Sequence, residues 1–342
     1  MNMSTSKDAI EAYELVRALQ KRFANKLDEV SLAIGANKKF EEVTWLRDNG
    51  KHGGGSRFEA RDNLLFNTAS VNVSQVHYDD APEKNLRSAT AISTIIHPKN
   101  PLVPSIHIHI SLTELRDGSS YWRVMADLNP SARNTHDKNV FDIAISNLAQ
   151  DTYEEGTAQG DKYFNIPALG RHRGVSHFYL ENYKTADKQK DYTFAKQFGE
   201  GIIDSYVNII TNAFKTRTLF NELETQQQLD YHTLYLFQVL TLDRGTTSGL
   251  LIHNQNDIGI MGSLPAFINK PLLSSWEKKV TSPQNELIRN IVSVINNDGR
   301  VDSATKEKLA QEVRAHYKKY PQALQTQASG NTVPNTVSNH KD

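Results

Sequence analysis

Four runs of this chain alternate apolar and polar residues with a period of two. They are "ASVNVSQVHY" (69–78), "SATAISTIIH" (88–97), "PSIHIHISLTEL" (104–115) and "SSYWRVMADL" (119–128). A period of two sends successive side chains to opposite faces of a pleated strand. Pro, Gly and Asn punctuate the gaps, so the pattern predicts consecutive antiparallel strands. Residues 7–35 keep a 3.6 period instead, with Ile10, Tyr13, Leu15, Val16, Leu19, Phe23, Leu27, Val30 and Ile34 on one stripe. Helical patterns return at about 136–156, 191–230, 275–297 and 302–319. The segment 49–66 reads as a glycine-rich break, and 230–267 reads as a β-hairpin turning at "DRGTTSG". Strands grouped together, with helices before, between and after them, imply a single α+β domain over residues 1–320 around one antiparallel sheet. The stretch 321–342 is polar, has almost no large apolar residue and reads as a disordered tail.

Composition removes several function classes. Lys+Arg and Asp+Glu are equal at 39 each, so no global field recruits nucleic acid or an anionic membrane. The chain has no cysteine, which excludes disulfides, thiolate nucleophiles and cysteine-held metals. Any metal must then be held by His, Asp, Glu or carbonyl oxygens. No apolar run approaches the roughly 20 residues of a membrane span, and the first residues enter an amphipathic pattern without a signal-peptide core, so a cytoplasmic location is expected.

The chemistry concentrates in "IIHPKNPLVPSIHIHISL" (95–112). Ile106, Ile108, Ile110 and Leu112 point one way, and His107, His109 and Ser111 the other. The histidines therefore face water, a substrate cavity or a metal. Asp127, where the next strand runs into a turn, is either a cap or an acid/base partner for His107. Spacing alone does not separate these readings. "GGG" at 53–55 lacks the following Lys-Ser/Thr of a phosphate loop, Tyr121 and Trp122 read as sheet packing, and His136 reads as solvated.

Six blocks occur in an order that resembles the oxygen-dependent coproporphyrinogen III oxidases. They are "GGGSRFEARDNLLFNTASVNVSQVH", "AISTIIHPKNPLVPSIH", "YWRVMADLNP", "YFNIPALGRHRGV", "NIITNAFKTR" and "LTLDRGTTSGL…GSLPAF", covering roughly residues 40–277. The resemblance implies a large flat antiparallel sheet sandwiched between helices, a homodimer, and a substrate cleft over the sheet. It implies oxidative decarboxylation of two propionates of coproporphyrinogen III to vinyl groups, with molecular oxygen as co-substrate and no organic cofactor. A divalent or transition metal (Mn, Fe or Cu) stays open. Ser93 matches a substrate-touching serine, His97 and His107 the two histidines of the proline-rich block, and Asp127 the aspartate that faces the pyrrole nitrogens. His107 and Asp127 are thus the expected catalytic pair. Arg173, Asp243 and Arg244 match residues expected near the subunit contact.

The departures matter as much. Ser111 and Gln255 stand where the family has arginines that hold substrate, and bulkier residues around Val124, Met125 and Ala126 replace glycines. Ala168, Ser176 and His177 replace a histidine and two glycines, and a later histidine falls near Val140 or Asp142. Ser93, His109, Ser111, Arg173, His253 and Gln255 are the expected substrate contacts, with Arg116, Arg123, Arg171 or His253 as compensating groups. A divergent oxidase acting on a smaller carboxylated substrate is a second reading. In it His97, His107 and His109, with Asp142 or His177, hold a metal ion. A non-catalytic binding protein is the third.

Overall fold

The alternating runs form the centre of a seven-stranded antiparallel sheet. The computed structural model describes residues 1–36, 39–61, 64–253, 255–332 and 337–340. Strands β1 (Glu41–Leu46), β2 (Gly53–Arg61), β3 (Phe66–His77), β4 (Leu86–Pro98), β5 (Ser105–Leu115) and β6 (Ser120–Asn129) lie side by side in chain order. After a small ladder of β7 (Asn165–Ile166) and β8 (Arg171–His172), strand β9 (Ser176–Tyr183) pairs with β6 at the edge. Helices cover both faces, as the α+β reading expects.

Alternation decides which helices lie where. Val71, Val73, Ile92, Ile106, Ile108, Ile110, Val124 and Phe178 face one way into a core. That core is completed by α1 (Lys7–Ala33), α2 (Thr135–Ala149) and α4 (Lys188–Thr216). The opposite face carries the polar members of each strand. α3 (Tyr153–Phe164) runs along edge strand β9, meeting Phe178 of the first core at Gly156, and Met125 and Tyr179 of the other face through Tyr163 and Phe164. A second helical layer with its own apolar core covers the rest of that face. This layer comprises α5 (Glu222–Thr241), α6 (Arg244–Ile252), α7 (Asp257–Ile260), α8 (Lys270–Ser275), α9 (Gln284–Val294) and α10 (Ser303–Lys319). Val124 and Ala126, expected to narrow the cleft, point into the first core instead; only Met125 of the three faces the other way.

Three segments differ from the sequence reading. The glycines at 53–55 open β2 rather than a break. Gly53 and Gly54 have φ +97° and +152°, and a Cβ on Gly55 would stand 2.1 Å from the Val73 carbonyl oxygen. The 230–267 region is helical, not a hairpin. Every residue from Tyr231 to Thr241 is buried, so the run has no polar stripe from which a period can be read. "DRGTTSG" is a helix start, with Asp243 accepting the Thr246 N–H at 2.7 Å. Described tail residues are also held rather than structureless. Ala323 is buried, the Ala328 N–H donates to the Leu242 carbonyl, and Glu181 accepts the Gly330 and Thr332 N–H groups. Hydrogen bonds do there what apolar burial does elsewhere, and composition does not announce them. Residues 333–336 and 341–342 of that stretch lie outside the described residues.

Candidate active site

Strand register turns the polar face into cross-strand rows. One row runs Ser70 (β3), Ile95 (β4), His107 (β5), Asp127 (β6), His177 (β9). The next runs Asn72, Ser93, His109, Met125, Tyr179, and a third brings Ser74, Ala91, Ser111 and Arg123 into line. His107 and Asp127 are thus directly opposed on one face, the neighbourhood that the family resemblance implied and that spacing alone left open.

Above these rows lies a cavity of about 240 Å³. Its floor includes Ser93, His107, His109, Arg123 and Met125; its roof includes Tyr235 of α5, Gly245, Thr246 and Gly249 of α6, and Ile260 of α7. Trp45, Arg47 and His253 line it from the side, with Tyr163 and Asp243. The glycines of α6 leave the helix backbone close to the space. Nε and Nη1 of Arg47 and Nε of Arg123 are buried without a hydrogen-bond partner. Buried N–H donors are ordinarily satisfied, so a guanidinium left short of an acceptor in a cavity fits an anionic ligand.

Asp127 stands behind this space. It is fully buried; Arg173 donates to its Oδ2 through Nε at 2.9 Å and Nη2 at 2.7 Å, and His177 Nδ1 lies 3.0 Å from Oδ1. Burial pushes its carboxyl up, but the Arg173 and His177 contacts outweigh that and hold it below the ordinary range. Gly174 abuts it so closely that a Cβ there would sit 2.1 Å from Oδ1. Asp127 is therefore absent from the cavity wall, contrary to a role facing substrate.

Arg173 links that carboxylate to the cavity. Its guanidinium lies between Phe164 and Tyr235, with Nη2 3.0 Å from His107 Nδ1. A guanidinium can only donate, so His107 Nδ1 accepts and the ring's proton sits on Nε2. Burial, and then the Arg173 charge, lower the His107 pKa to about 4. His107 is therefore a neutral imidazole at physiological pH. Burial, then Arg123, push His109 down to about 3, and it pairs with the Ser111 hydroxyl at 3.0 Å.

The carboxylate that does line the cavity is Asp243. Its Oδ1 accepts the Thr246 N–H and its Oδ2 accepts the Tyr163 hydroxyl at 2.8 Å. Burial raises its pKa, but Thr246, His107 and Tyr163 together bring it below the ordinary value. Asp243 was missed as a cavity residue because its D-x-x-T capping signature was read as a turn. Arg47 follows a short strand that no alternating run announced.

A sequence profile described as coproporphyrinogen III oxidase matches residues 11–297, most of the chain. The chain belongs to the coproporphyrinogen III oxidase family. It is 27% identical over 281 residues to an oxygen-dependent coproporphyrinogen-III oxidase, mitochondrial, of Mus musculus, covering 73% of this chain. The Homo sapiens protein of the same description is 26% identical over 291 residues, covering 76% of this chain. The chain spans about 60% of the length of these relatives.

Several residues matched to the family take other places in the fold. Ser93, His109 and His253 line the cavity, whereas Ser111 stands behind His109. Gln255 accepts from the Asp48 N–H beside Arg47. Arg123 stands directly opposite Ser111 across β5 and β6, and it lines the cavity. Arg116 donates to the Tyr78 and Ala81 carbonyls and Arg171 is exposed; neither lines the cavity.

The expected metal set does not assemble. His97 is fully buried, bonded to Ser105 and packed against His232 and Tyr235, away from the cavity wall. Asp142 on α2 is engaged by Lys138 and Ser176. His107 and His109 are committed to Arg173 and Ser111. Nor are the three expected subunit contacts at this chain's surface. Arg173 is 5% exposed, Asp243 lines the cavity, and Arg244 is 8% exposed with Nε donating to the Ala328 carbonyl beneath the tail.

Proposed function

We propose that the chain catalyses the oxygen-dependent oxidative decarboxylation of a propionate-bearing substrate, with coproporphyrinogen III as the family substrate. Each step converts R–CH2–CH2–COO⁻ + O2 + H⁺ into R–CH=CH2 + CO2 + H2O2. The observation that carries this reading is the pair of under-satisfied guanidiniums, Arg47 and Arg123, in a cavity that also holds Asp243 and neutral histidines. The two cations hold carboxylates. His107 Nε2–H gives a hydrogen bond, and Asp243 offsets positive charge that develops as electrons pass from the ring to oxygen. Family membership supports the reaction class. Oxygen is the co-substrate and no organic cofactor is invoked.

A smaller substrate is the second reading. At about 240 Å³ the cavity lies below the roughly 300–1,000 Å³ of ordinary ligand sites. Met125 and Arg123 project into the space. A homodimer and a cytoplasmic location belong to the same proposal, with the dimer surface away from Arg173, Asp243 and Arg244. Among the described residues no helix is long and apolar enough to cross a membrane.

The test supplies purified protein with coproporphyrinogen III in air and follows product by porphyrin fluorescence, beside mono- and dipyrrolic propionates. Arg123→Ala should lower kcat/KM about 10- to 150-fold, the worth of a charge-assisted carboxylate contact of about 1.5–3 kcal/mol. Turnover of the smaller compounds alone selects the second reading. No turnover of any propionate, or turnover indifferent to Arg123, sinks both.

A further inference from the structure

On the side of Asp127 away from the cavity, three side chains from three elements converge. They are Asp161 of α3, His172 of β8 and His177 of β9. One ligand atom from each lies within 4.8 Å of the other two, and this is the one such group of three among the described residues.

The protons of His177 make the arrangement informative. Its Nδ1 faces the buried, ionised Asp127 carboxylate at 3.0 Å and therefore carries a hydrogen. Its Nε2 faces Asp161 Oδ1 at 3.3 Å. With Nδ1 turned to Asp127, the Nε2 lone pair faces a carboxylate oxygen, a placement that suits a cation shared between the two. A proton on Nε2 would serve the His177–Asp161 contact alone, leaving His172 held only through its Nε2, 3.1 Å from the Asp161 carbonyl oxygen. An ion satisfies all three. Two ligand atoms on one ion at about 2.1 Å in tetrahedral geometry stand about 3.4 Å apart, the separation His177 and Asp161 already have.

The support behind the ligand also matches. A metal-binding histidine usually donates its other N–H to a carboxylate, which fixes its tautomer and makes it the better donor. Asp127 occupies that place and is itself held by Arg173. His172 rests with its ring 5.2 Å from that of His177, and Asp161 is exposed, so both can draw in by the ångström or so that closure requires.

We propose that Asp161, His172 and His177 form a binding site for a first-row divalent transition ion of the zinc class, completed by water. Two imidazoles and one carboxylate suit zinc, cobalt or ferrous iron better than magnesium or calcium. The site is distinct from the cavity, yet Asp127 and Arg173 join its His177 to His107. An ion there fixes the Asp127–Arg173 pair that sets the His107 tautomer.

The 342-residue chain purified without a histidine tag, stripped by chelator and dialysed against Co2+ alone tests the site. One Co2+ per chain should bind, with visible absorption bands that Zn2+ displaces. His172→Ala should weaken binding at least tenfold and His177→Ala should abolish it. The exposed position of His172 leaves its variant folded, which far-ultraviolet circular dichroism checks. Saturating Zn2+ should raise the melting temperature of the wild type but not of His172→Ala. Less than a tenth of an equivalent of bound Co2+ at pH 7.5, or binding equal in wild type and both variants, overturns the proposal.

Discussion

Asp243 caps α6 through one carboxylate oxygen, and the same side chain lines the cavity. A substitution can separate the two tasks. Asn caps a helix about as well as Asp, so Asp243→Asn should keep α6 and cost less than about 1 kcal/mol of stability. The negative charge that answers a developing cation would be gone. Turnover should therefore fall by about 10²–10⁴-fold, with the larger effect on kcat because the charge matters most in the transition state. Steady-state kinetics beside a thermal melt reads both quantities, and full activity in a well-folded Asp243→Asn would remove the residue from the mechanism. Asp127→Asn should behave differently. It withdraws the charge that Arg173 faces at the centre of a buried network, so loss of stability by several kcal/mol should accompany any loss of activity.

At the level of elements, α3 is pressed onto β9. A Cβ on Gly156 would lie 2.0 Å from the Phe178 ring, which packs into the first core and has little room to yield. Gly156→Ala should therefore cost about 1–3 kcal/mol, the usual penalty of overpacking, despite the better helix propensity of alanine. Tyr163 and Asp161 ride on this helix, so displacement should also weaken the Tyr163–Asp243 contact. A melting temperature equal to wild type would show that the helix shifts freely. Legibility followed the physics of each element. β3 to β6 and α1 were readable because one side of each faces a core and the other does not. That asymmetry put His107 on the polar face of its strand, and the family resemblance, not the spacing, paired it with Asp127. The segment 231–241 is buried on every side, so it lost the periodic signal, and with it went the roof of the cavity. Which side of Asp127 is open depends on Arg173 and Gly174, almost fifty residues away in sequence, and no local pattern reports it.

For the whole molecule, buried histidines make stability depend on acidity. His107 and His232 have pKa values lowered to about 4 and about 3 by burial, and burial likewise drives His97 well below its usual value. Each lies within the folded interior. In the unfolded chain each titrates near 6.5, so between pH 6.5 and about 4 the unfolded state binds more protons than the folded one. Stability then rises with pH across that window, and is lost as pH falls through it. The contribution approaches about 1.4 kcal/mol per histidine per pH unit once well below 6.5. Three such groups would remove about 4 kcal/mol by pH 5.5, a large part of the 5–15 kcal/mol typical of a folded protein. Asp127, with its lowered pKa, contributes in the same direction only at lower pH, below about 4. Urea unfolding at pH 7.5 and pH 5.5 should therefore show a marked drop in midpoint at the lower pH. Replacing His232 by the near-isosteric Asn should reduce that drop by up to about 1.4 kcal/mol, because one proton-binding site leaves the unfolded state. Midpoints equal at the two pH values would mean that these imidazoles are hydrated or charged in the folded protein, and the neutral His107 assigned to the cavity would fall with them.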